Sequence, residues 1–140
     1  MSVSTAGRRR IDLSVRTAVL AAGDIAAILL FVAVGEYMHG YNPLVDVGRV
    51  AGTLAPFLIG WLLVAGSAGL YASDAAATLK RALGVTFLGW TVAVVVAQLL
   101  RSTGVFHGDA ALAFALVSVG IGGAALCLWR AVATLALVDS

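Results

Sequence analysis

The sequence predicts an all-α fold, an integral membrane four-helix bundle with both termini on the cytoplasmic side. Three observations carry that expectation. The 140 residues are 61% hydrophobic and 11% charged, against roughly 45–50% and about 25% in soluble proteins. With a mean hydropathy of +1.04, the chain has too few polar side chains to cover a surface facing water. Four apolar stretches each reach the ~20 residues that a helix needs to cross a hydrocarbon core of ~30 Å, and the cations gather at one set of their ends. The composition also excludes a disordered chain. The net charge of +2, without a basic stripe, argues against nucleic acid as a partner.

Residues 1–16 read as a basic cytoplasmic arm carrying Arg8, Arg9, Arg10 and Arg16, and 17–138 as the membrane domain. The first span, about 17–35, is interrupted only by Asp24. Its length and this internal charge set it apart from a cleaved secretory signal. The second, about 50–71, contains Pro56, which removes a backbone donor and is expected to bend the helix. The third runs about 82–100 and the fourth about 110–132, the apolar character of the last continuing past Arg130 to Val138. Polar punctuation at Tyr41-Asn42-Pro43, Ser73-Asp74 and 101–109 separates them. Short loops allow the positive-inside rule to be applied by counting. Placing the termini together puts seven cations on their side, those of the arm with Lys80, Arg81 and Arg130, and leaves Arg49 and Arg101 opposite.

Helices in lipid associate through close contact at small residues, and the chain supplies stripes of them. Gly48, Gly52, Pro56 and Gly60 recur at four-residue spacing, as do Gly89, Ala93 and Ala97, Ser118 with Gly122, and Gly120 with Ala124. Internal packing and a homodimer seam both fit this pattern. Trp61 and Trp90 lie near the middle of their spans, away from the headgroup belt that tryptophan prefers. Their indole N–H groups therefore need partners inside the protein, in a packed core or an aromatic-lined cavity. Trp129, Tyr37, Tyr41 and Tyr71 fall near span ends, where anchoring in the belt explains them.

Asp24 is the strongest chemical signal. It lies about 12 Å beyond Arg16 at 1.5 Å per residue, too deep for a short side chain to reach water. An isolated carboxylate at that depth costs about 3 kcal/mol or more, so Asp24 is expected to be protonated or paired within the bundle. Arg130 is its most plausible partner, although counting from the span ends leaves an axial gap of about 9 Å to be closed by tilt and side-chain length. Otherwise Arg130 snorkels to the inner surface. Outside, Glu36 and His39 stand three apart, a spacing found in carboxylate–histidine metal sites, with Arg101, His107 and Asp109 in the next outer loop. Capping and interfacial duties explain this cluster better than metal, proton or haem binding, so no metal or cofactor is expected. No P-loop, His-Glu-x-x-His, Gly-x-Ser-x-Gly or Cys-x-x-Cys occurs, and no enzymatic activity is expected. Cys127, the single cysteine, cannot form an intrachain disulfide.

Gly23-Asp24, Gly35, His39, Pro56-Phe57, Gly60-Trp61, Trp90, Arg101, Phe114 and Trp129-Arg130 together resemble the domain of unknown function 3054 family. Its members are small four-helix membrane proteins, largely of halophilic archaea and actinobacteria. The resemblance covers about 20–132. It implies the four-span topology and points to Asp24, Trp61, Trp90, Arg101 and Arg130, but it implies no reaction. Glu36 stands where the resemblance implies a basic residue, which counts against an outer metal site. The leading expectation is a multi-pass protein of the cell membrane that acts as a small channel or transporter for protons, ions or a small solute, as a homodimer, with Asp24 as titrating centre. The alternative is a structural or accessory membrane subunit in which Asp24 and Arg130 form a packing ion pair.

Overall fold

The computed structural model describes residues 14–71, 78–105 and 111–138. Within them the chain forms α1 (Val15–Met38), α2 (Val47–Ala68) and α3 (Leu79–Arg101), then a fourth, compound span. That span consists of α4 (Leu112–Val117), one π-helical turn (Ser118–Gly122) and α5 (Gly123–Val138). All four spans are long and apolar enough to cross a membrane. Leu30, Leu63, Leu88, Leu99 and Leu128 are among the large apolar side chains left exposed, the exterior that a bilayer solvates.

The helix ends explain where the chain turns. Ser14 caps α1, its hydroxyl accepting from the Thr17 amide at 3.3 Å. Beyond α1, Gly40 takes φ +93°, a conformation open to glycine. The loop to α2 is held by side chain–backbone bonds: the Asn42 amide donates to Asp46 at 3.0 Å and the Leu44 amide to Asn42 at 2.9 Å. The second helix stops at Ala68, short of the expected boundary at 71. Gly69, with φ +83°, reverses the chain there, and the Leu70 amide closes back onto the Ala65 carbonyl at 3.1 Å, a Schellman-type stop. Leu70 and Tyr71 are consequently tucked into the protein, both buried. Thr78 caps α3 by accepting from the Arg81 amide at 3.1 Å.

The mid-span tryptophans lie in a packed core. Trp61, Trp90 and Phe57 are fully buried. Phe57 stacks on Trp90 at 5.7 Å, Phe31 and Phe114 meet Phe57 edge-on at 5.7 Å, and Trp61 lies 6.2 Å from Trp90. The π turn is tied to this cluster, since the Trp90 indole N–H donates to the Ser118 carbonyl at 2.7 Å. Widening one turn frees a carbonyl that an α-helix would engage, and Gly122 leaves room for the ring: a Cβ there would lie 2.6 Å from the Trp90 indole.

Most of the small residues serve this internal packing. Gly60 meets the Ala93 backbone, Gly89 the Leu70 side chain, and Gly23 the Trp129 ring. Pro56, Ala65, Ala97 and Ser118 are also buried. Gly120 and Ala124 instead face outward.

Candidate functional site

Four segments bring the polar groups of the interior together. Asp24 lies about 14 Å along α1 from its first residue and Arg130 about 12 Å from the last residue of α5, so the antiparallel helices present them at matching depth. The gap estimated from sequence closes because α5 runs on to Val138. Arg130 thus sits two turns inside its helix, and its side chain, like that of Asp24, is 0% exposed; it does not snorkel to the surface.

The pair is bidentate. Arg130 donates through Nε to Asp24 Oδ1 at 2.9 Å and through Nη2 to Oδ2 at 2.6 Å. Such fork-to-fork pairing is stronger and more directional than a point contact. Nη1 donates to the Leu70 carbonyl at 3.1 Å, which the Gly69 reversal has turned inward. The Tyr71 hydroxyl donates to Asp24 Oδ2 at 2.6 Å and accepts from the Trp61 indole at 2.9 Å. Indole can only donate, so the chain of bonds has one polarity, from Trp61 through Tyr71 to Asp24. Three hydrogens point at the carboxylate, two from Arg130 and one from Tyr71. The Arg130 guanidinium also stands 5.4 Å from the centre of the Tyr71 ring.

Tyr71 belongs to this network rather than to the membrane belt that its place near a span end suggested; Gly69 is the signal in the sequence for the turn that carries it inward. Trp129 is likewise more than a belt anchor. Its indole N–H donates to the Leu20 carbonyl at 3.2 Å, and its ring occupies the space left by Gly23, the residue before Asp24. Tyr71→Phe is expected to strip one donor from Asp24 and leave the Trp61 N–H unpaired. A loss of about 1–3 kcal/mol follows, measurable by denaturant or thermal unfolding in detergent micelles.

The cluster expected on the outer face separates into different contacts. Glu36 is buried and pairs with α2: Arg49 Nε donates to Oε2 and the Thr53 hydroxyl to Oε1, each at 2.7 Å. Arg49 also stacks 3.8 Å over the Tyr41 ring. His39 is exposed and its Nδ1 bonds the Gly35 carbonyl at 2.7 Å, within its own helix end. Arg101 is buried at the end of α3, 4.8 Å over Phe114. His107 and Asp109 lie outside the described residues. Among the described residues, no group of three or more His, Cys, Asp or Glu is placed to hold a metal ion. Arg49 and Thr53 were not singled out from the sequence as partners of Glu36, because a pairing across the α1–α2 loop depends on the turn that Asn42 and Asp46 build.

Residues 21–133 match the sequence profile of a family described as protein of unknown function DUF3054. The match reaches into all four spans and includes both members of the buried pair, and the chain belongs to that family. Neither the curated proteins nor the solved structures offer a match.

Proposed function

We propose that this member of the DUF3054 family is a structural or accessory subunit of the cell membrane, and that Asp24 and Arg130 serve to lock its four helices in register. The observation that carries this reading is the closure around Asp24: it is 0% exposed and accepts bonds from Arg130 and Tyr71. An intramembrane carboxylate that carries protons or cations must exchange with water from one side and then the other. Here the interior beyond Asp24 is filled by Phe31, Phe57, Trp61 and Trp90, all buried. This favours a packing role over the transport role that an intramembrane aspartate first suggests.

The test is ion movement. Wild-type protein reconstituted in liposomes is expected to give no proton or cation flux above protein-free vesicles under an imposed gradient. Flux that Asp24→Asn abolishes would establish transport and remove the structural reading.

Both termini are proposed to face the cytoplasm. With Arg130 engaged in the interior, Arg8, Arg9, Arg10, Arg16, Lys80 and Arg81 remain on that side, against Arg49 and Arg101, and the bias still follows the positive-inside rule. Single cysteines introduced as Ser4→Cys, Asn42→Cys and Ser102→Cys check it in a Cys127→Ser background. The second and third are expected to react with an impermeant thiol reagent on intact cells; reaction at position 4 would reverse the topology.

A further inference from the structure

Among the described residues, two buried hydroxyls have no hydrogen-bond partner, those of Thr86 on α3 and Thr134 on α5. A hydroxyl in a helix can satisfy itself on the carbonyl one turn back, and Ser67, Thr91 and Ser118 do so at 2.7, 2.8 and 2.7 Å. Thr86, 0% exposed, does not. Arg130 carries unused donors in the same interior. A guanidinium has five N–H bonds; three are engaged, on Asp24 through Nε and Nη2 and on the Leu70 carbonyl through Nη1. Because Asp24 takes the Nε–Nη2 edge, the second Nη2 hydrogen points along the far edge, beside Nη1. That edge is buried with the rest of the side chain, where an N–H without an acceptor is costly. The register of the helices directs Thr86 and this edge at each other. Antiparallel α3 and α5 touch where the Cys127 thiol donates to the Leu83 carbonyl at 3.9 Å. From that level the Cα of Thr86 lies about 4.5 Å toward one end of the bundle and that of Arg130 about 4.5 Å toward the other. Side chains lean toward the N-terminus of their own helix, so these two lean together. Thr134 lies one turn behind Arg130, on the side from which the guanidinium points away. Leu70 adjoins both groups, its carbonyl on Arg130 and its side chain against Gly89, three residues on from Thr86.

We infer that one water molecule is bound between Arg130 and Thr86, accepting from the far edge of the guanidinium and donating to the Thr86 hydroxyl oxygen. The two partners select this ligand. It must accept toward Arg130 and donate toward Thr86, and it must be small enough to be enclosed where both side chains are 0% exposed. An anion is disfavoured, because Asp24 already neutralises the guanidinium. Buried waters occupy such places, bonding polar groups that the protein leaves otherwise unsatisfied. A single enclosed water is a fixed ligand and opens no path across the bundle.

A crystal structure of the full chain grown from a lipidic mesophase, at a resolution that shows ordered waters, tests the site directly. Density for one water within hydrogen-bond distance of Arg130 Nη2 and Thr86 Oγ1 is expected. Unfolding in detergent micelles gives an independent reading, because valine has the shape of threonine without the hydroxyl. Thr86→Val is expected to raise the unfolding equilibrium constant about tenfold, since it takes away one of the water's two partners. The same change should cost nothing in Asp24→Asn/Arg130→Gln, where no guanidinium remains. Density that joins the Thr86 hydroxyl directly to Arg130 or to a carbonyl of its own helix, or an absence of density between the two residues, would overturn the proposal. So would a Thr86→Val variant as stable as the wild type or more so, the result for a hydroxyl that binds nothing. An equal loss in both backgrounds would overturn it too, because the partner would then be something other than Arg130.

Discussion

Arg130→Gln is expected to destabilise the bundle by about 3–5 kcal/mol, the range for removing one partner of a buried ion pair. The cost has little to do with the net worth of the pair. It arises because Asp24, 0% exposed, would be left with only the Tyr71 hydroxyl as a donor. The Leu70 carbonyl would lose its Arg130 donor at the same time. Lipid cannot hydrate what is left behind. Asp24→Asn is expected to cost a comparable amount for the mirror-image reason, since the guanidinium would retain the Leu70 carbonyl and lose its counter-ion. Unfolding in mixed micelles, followed by the loss of helical signal or by the exposure of Cys127 to a thiol reagent, measures both. A change below about 1 kcal/mol for either variant would mean that water reaches the pair.

Gly60→Leu is expected to be at least as damaging. A Cβ at position 60 would stand 2.5 Å from the Ala93 carbonyl oxygen and 3.3 Å from its carbon. These are backbone atoms inside a helix, so they cannot rotate away as a side chain would, and α2 and α3 would have to separate along their contact. The next residue is Trp61, whose indole holds Tyr71 against Asp24; displacing α2 therefore loosens the polar network together with the aromatic core. Over-packing of a closed interior costs about 1–3 kcal/mol and sometimes more, and with backbone as the obstacle the upper end, about 3 kcal/mol or beyond, is expected. Gly120→Leu supplies the contrast. Position 120 is open, with nothing within 4 Å of a Cβ, and the substitution should stay within about 0.5 kcal/mol in unfolding measurements. Gly89→Leu and Gly122→Leu belong with Gly60, because their added atoms would meet Leu70 and Trp90, and they are expected to impair folding rather than to dissociate a dimer.

The four spans were legible because lipid forces every backbone group to bond within its own helix, which leaves long apolar runs with polar breaks. Asp24 was legible for the same reason: a carboxylate in such a run needs an explanation. Its partner was nameable, yet its depth was obscured, since apolar hydropathy does not mark where a helix meets the headgroups and Arg130 looked like the end of a span that continues to Val138. Tyr71 was hidden by a real ambiguity. An aromatic residue beside a span end is ordinarily a belt anchor, and only the left-handed turn at Gly69 redirects it inward. The π turn was beyond sequence reading, because it exists where a specific carbonyl, that of Ser118, meets the Trp90 N–H; neither apolar periodicity nor composition encodes that register. The same holds for Glu36 with Arg49, which approach through a loop built by the Asn42 and Asp46 side chains.

The central claim, that Asp24 and Arg130 matter to each other and to packing rather than to a travelling ion, is tested most directly by the stability of Asp24→Asn/Arg130→Gln. Removing both charges leaves two neutral amides, the one at position 24 of unchanged shape and the one at position 130 shorter and without the bond to the Leu70 carbonyl, and loss of a whole buried pair is often close to neutral in its electrostatic part. The double variant is expected to lose about 1–3 kcal/mol, the cost of leaving the Leu70 carbonyl without its donor, and so far less than the two single losses together. A double variant whose loss equals the sum of the two single losses would show that the residues act independently, and would contradict the account.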